Sequence, residues 1–178
     1  YSPNHNARPC VPVSLIVMHY TGMHSGVAAL KRLCSTESKV SSHYVVGEQG
    51  EIYQLVEEDR RAWHAGIGYW AGASNINDIS IGIEIVNRGH EHGYTPFPDA
   101  QMEAVRDLAQ DIIRRHEIPA HGVVGHSDIA PLRKQDPGEL FPWEWLAEYG
   151  VGRWHGVAEG SLAATPLTLT KEVWHVGQ

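Results

Sequence analysis

Apolar positions along the chain fall into two periods, and each predicts its own element. The run LIVM at residues 15–18, preceded by Pro12 and followed by His19, Tyr20, Thr21 and Gly22, predicts a buried strand with His19 at its end. Ser25 is placed to cap a short helix running through Leu33. Residues 43–46 and 51–56 are β-rich segments flanking Gly47-Glu48-Gln49-Gly50, which predicts a hairpin. Ile79, Ile81, Ile83 and Ile85 then alternate with Ser80, Gly82 and Glu84; period 2 puts the isoleucines on one face and Glu84 on the other.

A 3.6-residue period replaces the alternation after Pro98 and Asp99. Met102, Val105, Leu108, Ala109, Ile112 and Ile113 recur three and four apart, the stripe of a helix packed on a sheet, and Pro119 ends it. Val123 and Val124 lead into Gly125-His126-Ser127-Asp128, and a Pro-containing loop carries Lys134 and Asp136 before a short helix from Trp143 to Ala147. Strands and helices interleave, so the class is mixed α/β: one domain with a central mixed β-sheet flanked by α-helices. Between residues 61 and 77 there is no period. Trp63, Tyr69 and Trp70 stand there among Gly66, Gly68 and Gly72, a composition that suits a ligand groove. Past Trp154 the chain turns to Gly, Ala, Ser and Thr, so residues 1–154 form the expected domain and 155–178 a tail or linker.

Composition narrows the chemistry. A chain of 178 residues, 42% hydrophobic, can bury one core. No apolar run approaches the roughly 20 residues that span a bilayer. A formal charge of −7 argues against phosphate backbones as partners, so nucleic acid is not expected. Cys10 and Cys34 lie in different elements and indicate no disulfide framework. The 12 histidines are the outlying entry, because imidazole is both a common metal ligand and a general acid or base.

Neither H-E-x-x-H nor paired C-x-x-C occurs, so a metal site has to be assembled from separate strand ends and loops. By pattern, the candidates are His19 after LIVM, His126 after VVG and Asp136 in a Pro-Gly loop. For each histidine, a hydrogen-bonded structural role fits the pattern as well as ligation does.

Several segments read together are more specific. HYTG at His19, VSSHYVV from Val40, AWHAG from Ala62, SIGIEIVNRG from Ser80, GHSDIAP from Gly125 and RKQDPGELFPW from Arg133 resemble the type 2 family of N-acetylmuramoyl-L-alanine amidases. The likeness runs in order from about Ser2 to Trp154 and is nearest to the bacterial AmpD and AmiD branches. It implies one Zn²⁺ per chain, held by His19, His126 and Asp136 at roughly 2.0–2.2 Å with a fourth position open. Phage members and peptidoglycan recognition proteins usually carry Cys as third ligand, whereas this chain follows the Asp form.

The same resemblance assigns Glu84 as the catalytic acid and base and Lys134 as the oxyanion partner. A Tyr that assists in phage members is here Ser42, which leaves the role to Glu84. His64, Trp63 and Tyr44 are implied substrate contacts, with packing against Trp63 the alternative for His64. His43 reads as structural, and His24, His90, His92, His116, His121, His155 and His175 as surface residues. Both ligand imidazoles are expected to give their second nitrogen to a carbonyl or carboxylate.

The implied reaction is hydrolysis of the amide between N-acetylmuramic acid, or its anhydro form, and L-alanine of a peptidoglycan stem peptide, by a monomer. A zinc peptidase cutting within the stem, or a non-catalytic peptidoglycan-binding module, are the rival readings. Because the chain begins at Tyr1, a processed leader is compatible with it; the SSHYVV and RGHEHGY segments lean toward an envelope enzyme over a cytoplasmic one.

Overall fold

A computed structural model describes residues 1–155. The expected tail or linker, apart from His155, and with it His175, lies outside the described residues.

In chain order the elements are β1 (His5–Ala7), β2 (Leu15–Tyr20), α1 (Gly26–Leu33), β3 (Tyr44–Val46), β4 (Ile52–Gln54), β5 (Arg60–Ala62), α2 (Ile76–Ile79), β6 (Ser80–Ile85), α3 (Asp99–His116), β7 (Val123–Gly125), α4 (His126–Ile129) and α5 (Trp143–Glu148). Five strands form a sheet in the order β4-β3-β6-β2-β7, parallel except for the antiparallel β3–β4 hairpin at one edge. Strands β1 and β5 pair separately. The mixed sheet expected from the interleaved pattern is present.

Burial explains why β2 reads as an unbroken apolar run. It lies inside the sheet with helices over both faces, so Leu15, Ile16, Val17 and Met18 are all buried. Ile16 and Met18 join Ile81, Ile83 and Ile85 under the α3 stripe of Met102, Val105, Ala109 and Ile112. Leu15 and Val17 face the other way, against Val124, Ile76 and Ile129. Each such aliphatic side chain contributes about 1.5–3 kcal/mol when buried. Two packed faces thus hold the ends of β2, β6 and β7 rigid.

The termini follow local chemistry. Ser25 caps α1, its hydroxyl oxygen accepting from the Ala28 amide at 3.2 Å. Glu117 takes a left-handed conformation, φ 54°, and ends α3 one residue before Ile118, whose amide returns to the Ile113 carbonyl at 3.1 Å.

Three expectations need correction. Ile79 does not open the central strand: it closes α2, because the Ser80 hydroxyl donates to the Ile76 carbonyl at 2.6 Å and ties off a helical turn there. The hairpin strands are shorter than expected, three residues each; at His43 the carbonyl still accepts the Leu55 amide at 2.8 Å while the amide turns to the Gly82 carbonyl at 3.1 Å. The segment from residue 61 is not wholly loop, since β5 pairs with β1 through Arg61 opposite Asn6. Three-residue polar strands carry too little periodicity to be seen.

Candidate metal centre and catalytic cleft

The parallel register brings the site together. Along β2, His19 shares a face with Leu15 and Val17; along β6, Glu84 shares that face with Ser80 and Gly82, and the two residues are paired partners across the strands. Strand β7 pairs with β2 through Met18 opposite Gly125, so the next residue, His126, starts beside the end of His19's strand. Helix α4 begins at His126 because the Asp128 carboxylate accepts the Gly125 amide at 2.7 Å. Asp136 arrives on the following loop, whose carbonyl accepts the Ser127 amide at 2.9 Å.

His19, His126 and Asp136 are all buried, and their ligand atoms converge on one point. The two Nδ1 atoms are 2.9 Å apart, and each lies 3.0 Å from Asp136 Oδ2. His126 Nε2 faces the Ala65 carbonyl at 2.9 Å, and a carbonyl only accepts. The proton is therefore on Nε2 and the Nδ1 lone pair points into the triangle. Burial, with His126 beside it, pushes His19 down to about 4, so its ring is neutral near pH 7. Lone pairs and a carboxylate crowded within 3.0 Å of one another repel unless a cation caps them. Edges of 2.9–3.0 Å accommodate an ion at the 2.0–2.2 Å bonding distances of zinc, and two imidazoles with one carboxylate are a donor set of the catalytic zinc type.

Glu84 stands beside this triangle. Its Oε2 is buried and has no hydrogen-bond partner among the described residues. Burial pushes its carboxyl up to about 8, the charge of Asp136 adds to that, and Lys134 opposes it. Lys134 lies two residues before Asp136 and is held by its amide to the Ala130 carbonyl at 3.0 Å. Glu84, Lys134 and the three converging residues line one cavity of about 810 Å³, with Trp63 and Arg88 on its walls.

Several placements differ from expectation. Tyr44 was expected to touch substrate, but β3 pairs Val45 with Glu84, so Tyr44 falls on the opposite face. It packs into the α3 core and donates to Glu58 at 2.7 Å, away from the cavity. His64 was expected in the groove. It borders the cavity, yet both ring nitrogens are taken inside the protein, Nδ1 by His19 Nε2 at 3.0 Å and Nε2 by Ser80 Oγ at 3.2 Å. The second nitrogen of His19 thus meets an imidazole, not the carbonyl or carboxylate expected. Trp63 does line the cavity, its Nε1 donating to Asn6 at 2.8 Å. Ser42 is buried and donates to the Tyr44 carbonyl at 2.9 Å.

Sequence reasoning also passed over supporting residues. His24 and His90 are exposed, as expected, and with His92 they stand at the open side of the cavity; the rings of His24 and His92 are tilted with centroids 4.3 Å apart, and His90 bridges Tyr20 and Glu139 at 2.9 Å each. Tyr94 donates to the Pro137 carbonyl at 2.7 Å and so pins the Asp136 loop. The carboxamide oxygen of Asn77 accepts the amides of His64 and Ala65 at 3.2 and 2.9 Å. None of these belongs to a periodic pattern; the only local signal was the density of His and Tyr in residues 88–94.

A mixed sheet whose parallel strand ends and following loop bring two histidines and a carboxylate together beside Glu84 forms a group that could hold the metal of a hydrolase. The chain belongs to the N-acetylmuramoyl-L-alanine amidase family, whose model matches residues 9–139. It is 46% identical over 156 residues to the N-acetylmuramoyl-L-alanine amidase AmiD of Escherichia coli, covering 80% of this chain and 55% of that protein. It is 42% identical over 104 residues to the 1,6-anhydro-N-acetylmuramyl-L-alanine amidase AmpD of Enterobacter cloacae, covering 58% of this chain and 54% of that one. The chain thus spans about half the length of these relatives. Among solved structures, E. coli AmiD in complex with anhydro-N-acetylmuramic acid-L-Ala-D-γ-Glu-L-Lys superposes with a TM-score of 0.75 at 44% identity, over 84% of this chain and 62% of that one. Among the described residues no helix is long and apolar enough to cross a membrane.

Proposed function

We propose that this chain hydrolyses the amide between N-acetylmuramic acid, in particular its 1,6-anhydro form, and the L-alanine of a peptidoglycan stem peptide, with zinc bound by His19, His126 and Asp136. The observation that carries the reading is the triangle of ligand atoms 2.9–3.0 Å apart beside Glu84, whose Oε2 is buried and unpartnered among the described residues. The anhydro-sugar ligand in the AmiD complex and the name of the AmpD relative supply the substrate class.

Bound there, the ion would supply an activated water and a Lewis acid for the amide carbonyl. Glu84 takes the proton from the attacking water and delivers it to the departing alanine nitrogen. Burial disfavours the ionised form of Glu84 and the charge of a neighbouring ion would favour it, opposing effects that suit a group which must both accept and release a proton. Lys134, on the same cavity wall, carries the fixed positive charge that faces the developing oxyanion. Trp63 offers an aromatic wall to the substrate.

Mass spectrometry of a digest of anhydromuramyl peptide by the zinc-loaded protein tests the proposal. Intact free stem peptide with peptide-free sugar is the expected result. A shortened peptide still attached to sugar would make the protein a peptidase, and tight binding with no product would make it a recognition module; either overturns the assignment.

A further inference from the structure

His64 borders the cavity, and its two ring nitrogens face protein partners, Nδ1 the proposed ligand His19 and Nε2 the Ser80 hydroxyl beneath it. The order of protons along these contacts follows from their far end. The Ile76 carbonyl only accepts, so the Ser80 hydroxyl at 2.6 Å donates to it. With its hydrogen committed, Ser80 Oγ accepts, and His64 Nε2, 3.2 Å away, is the donor. A neutral imidazole protonated on Nε2 has a bare Nδ1, which accepts from His19 Nε2 at 3.0 Å. That leaves the proton of His19 on Nε2 and its Nδ1 lone pair free toward His126 and Asp136.

We propose that His64 is a positioning residue which, through Ser80 and the Ile76 carbonyl, sets the tautomer and ring orientation of His19. The backbone is shaped for it. A Cβ at residue 82 would lie 2.4 Å from His64 Cγ, so only glycine in β6 lets the ring lie against the strand. The same two-residue segment serves both histidines: the His64 ring holds His19, and the Ala65 carbonyl holds His126 at 2.9 Å. Asn77 fixes the segment by accepting both of its amides. Partners of this kind tune metal affinity by orienting the ligand that touches the ion. The inference rests on the metal reading above and goes beyond it by assigning His64 to the ligand and not to the substrate.

The test compares His64→Phe, which keeps a ring of similar bulk but no acceptor, with His64→Gln, which keeps an acceptor and a donor. Zinc dissociation constants are measured by chelator competition on the full chain. His64→Phe is expected to weaken zinc binding by about 10- to 100-fold, and His64→Gln by only about 3-fold. Thermal melting of the metal-free proteins identifies any variant that fails to fold, and Ser80→Ala, which removes only the hydroxyl, then stands in for it. Imidazole ¹⁵N shifts of the metal-free wild type should report His19 protonated on Nε2, and Ser80→Ala should mix the two tautomers. Unchanged zinc affinity in His64→Phe with a raised KM would make His64 a substrate contact and overturn the proposal, as would His19 protonated on Nδ1 in the wild type. Failure of the wild type to bind zinc would instead refute the metal reading, since the ¹⁵N shifts are read without metal.

Discussion

Glu84 and Asp136 line the same cavity, yet they should fail in different ways when replaced. Glu84→Gln keeps the shape of the side chain and removes its basicity, so turnover of anhydromuramyl peptide should fall by about 10² to 10⁴ with zinc content near one per chain. Asp136→Ala removes an atom of the proposed triangle and should lose the metal along with activity. Lys134→Ala should keep zinc and lose about 10² to 10³ in rate, which metal analysis run beside the activity assay will separate. Near-normal turnover by zinc-loaded Glu84→Gln would show that another group moves the proton. At this scale the residues at strand ends were legible: the period-2 pattern of β6 places Glu84 opposite the isoleucines, and His19 follows an apolar run. Tyr44, implied as a substrate contact only by the resemblance, lies on the face of β3 that packs under α3, which a three-residue strand does not reveal. The hydrogen bonds of His64 were not legible either, since they join residues 16 and 45 positions away and leave no mark on local spacing.

Elements with a long amphipathic period were readable, and those held by long-range hydrogen bonds were not. Strand β2 buries all but its last residue and helix α3 buries one apolar stripe, so their patterns record their packing. Strands β1 and β5 are three residues each, and what fastens them is Arg8. Its guanidinium donates to the carbonyls of Glu58, Asn77, Asp78, Arg60 and Ser80 at 2.9–3.1 Å, tying the segment after β1 to β5, α2 and the start of β6. Arg8→Ala would leave those carbonyls short of a charged donor at the base of the layer that carries His64. We expect a loss of about 2–4 kcal/mol, read as a lower urea midpoint. Arg8→Lys should recover little of it, because a single ammonium cannot reach five carbonyls in the geometry of a planar fork. A midpoint unchanged in Arg8→Ala would show that β1 is held by its strand pairing alone.

At the scale of the described fold, stability should decline with acid, and His43 and Glu58 contribute to that decline in different pH ranges. His43 is buried, and burial next to Arg8 pushes it down to about 3, below the value near 6.5 of an unfolded chain. A depressed folded pKa gives stability that is complete above the unfolded value, so this part begins to fade below about pH 6.5. Glu58 covers the lower range. Burial alone would raise its carboxyl, but hydrogen bonds from Arg115, His116 and Tyr44 outweigh it and hold it at about 2, so its contribution persists above about 4.5 and is lost as pH falls toward 2. Those bonds join the end of α3 to the chain before β5 and to β3, which makes Glu58 a link between the helix and the hairpin edge of the sheet. Glu58→Gln should therefore cost on the order of 1–3 kcal/mol at pH 7, while the melting curves of variant and wild type converge as pH approaches 2. Thermal unfolding followed at pH steps from 7 to 2 checks this. A constant offset between the two proteins over the whole range would mean that Glu58 contributes by packing and not by charge.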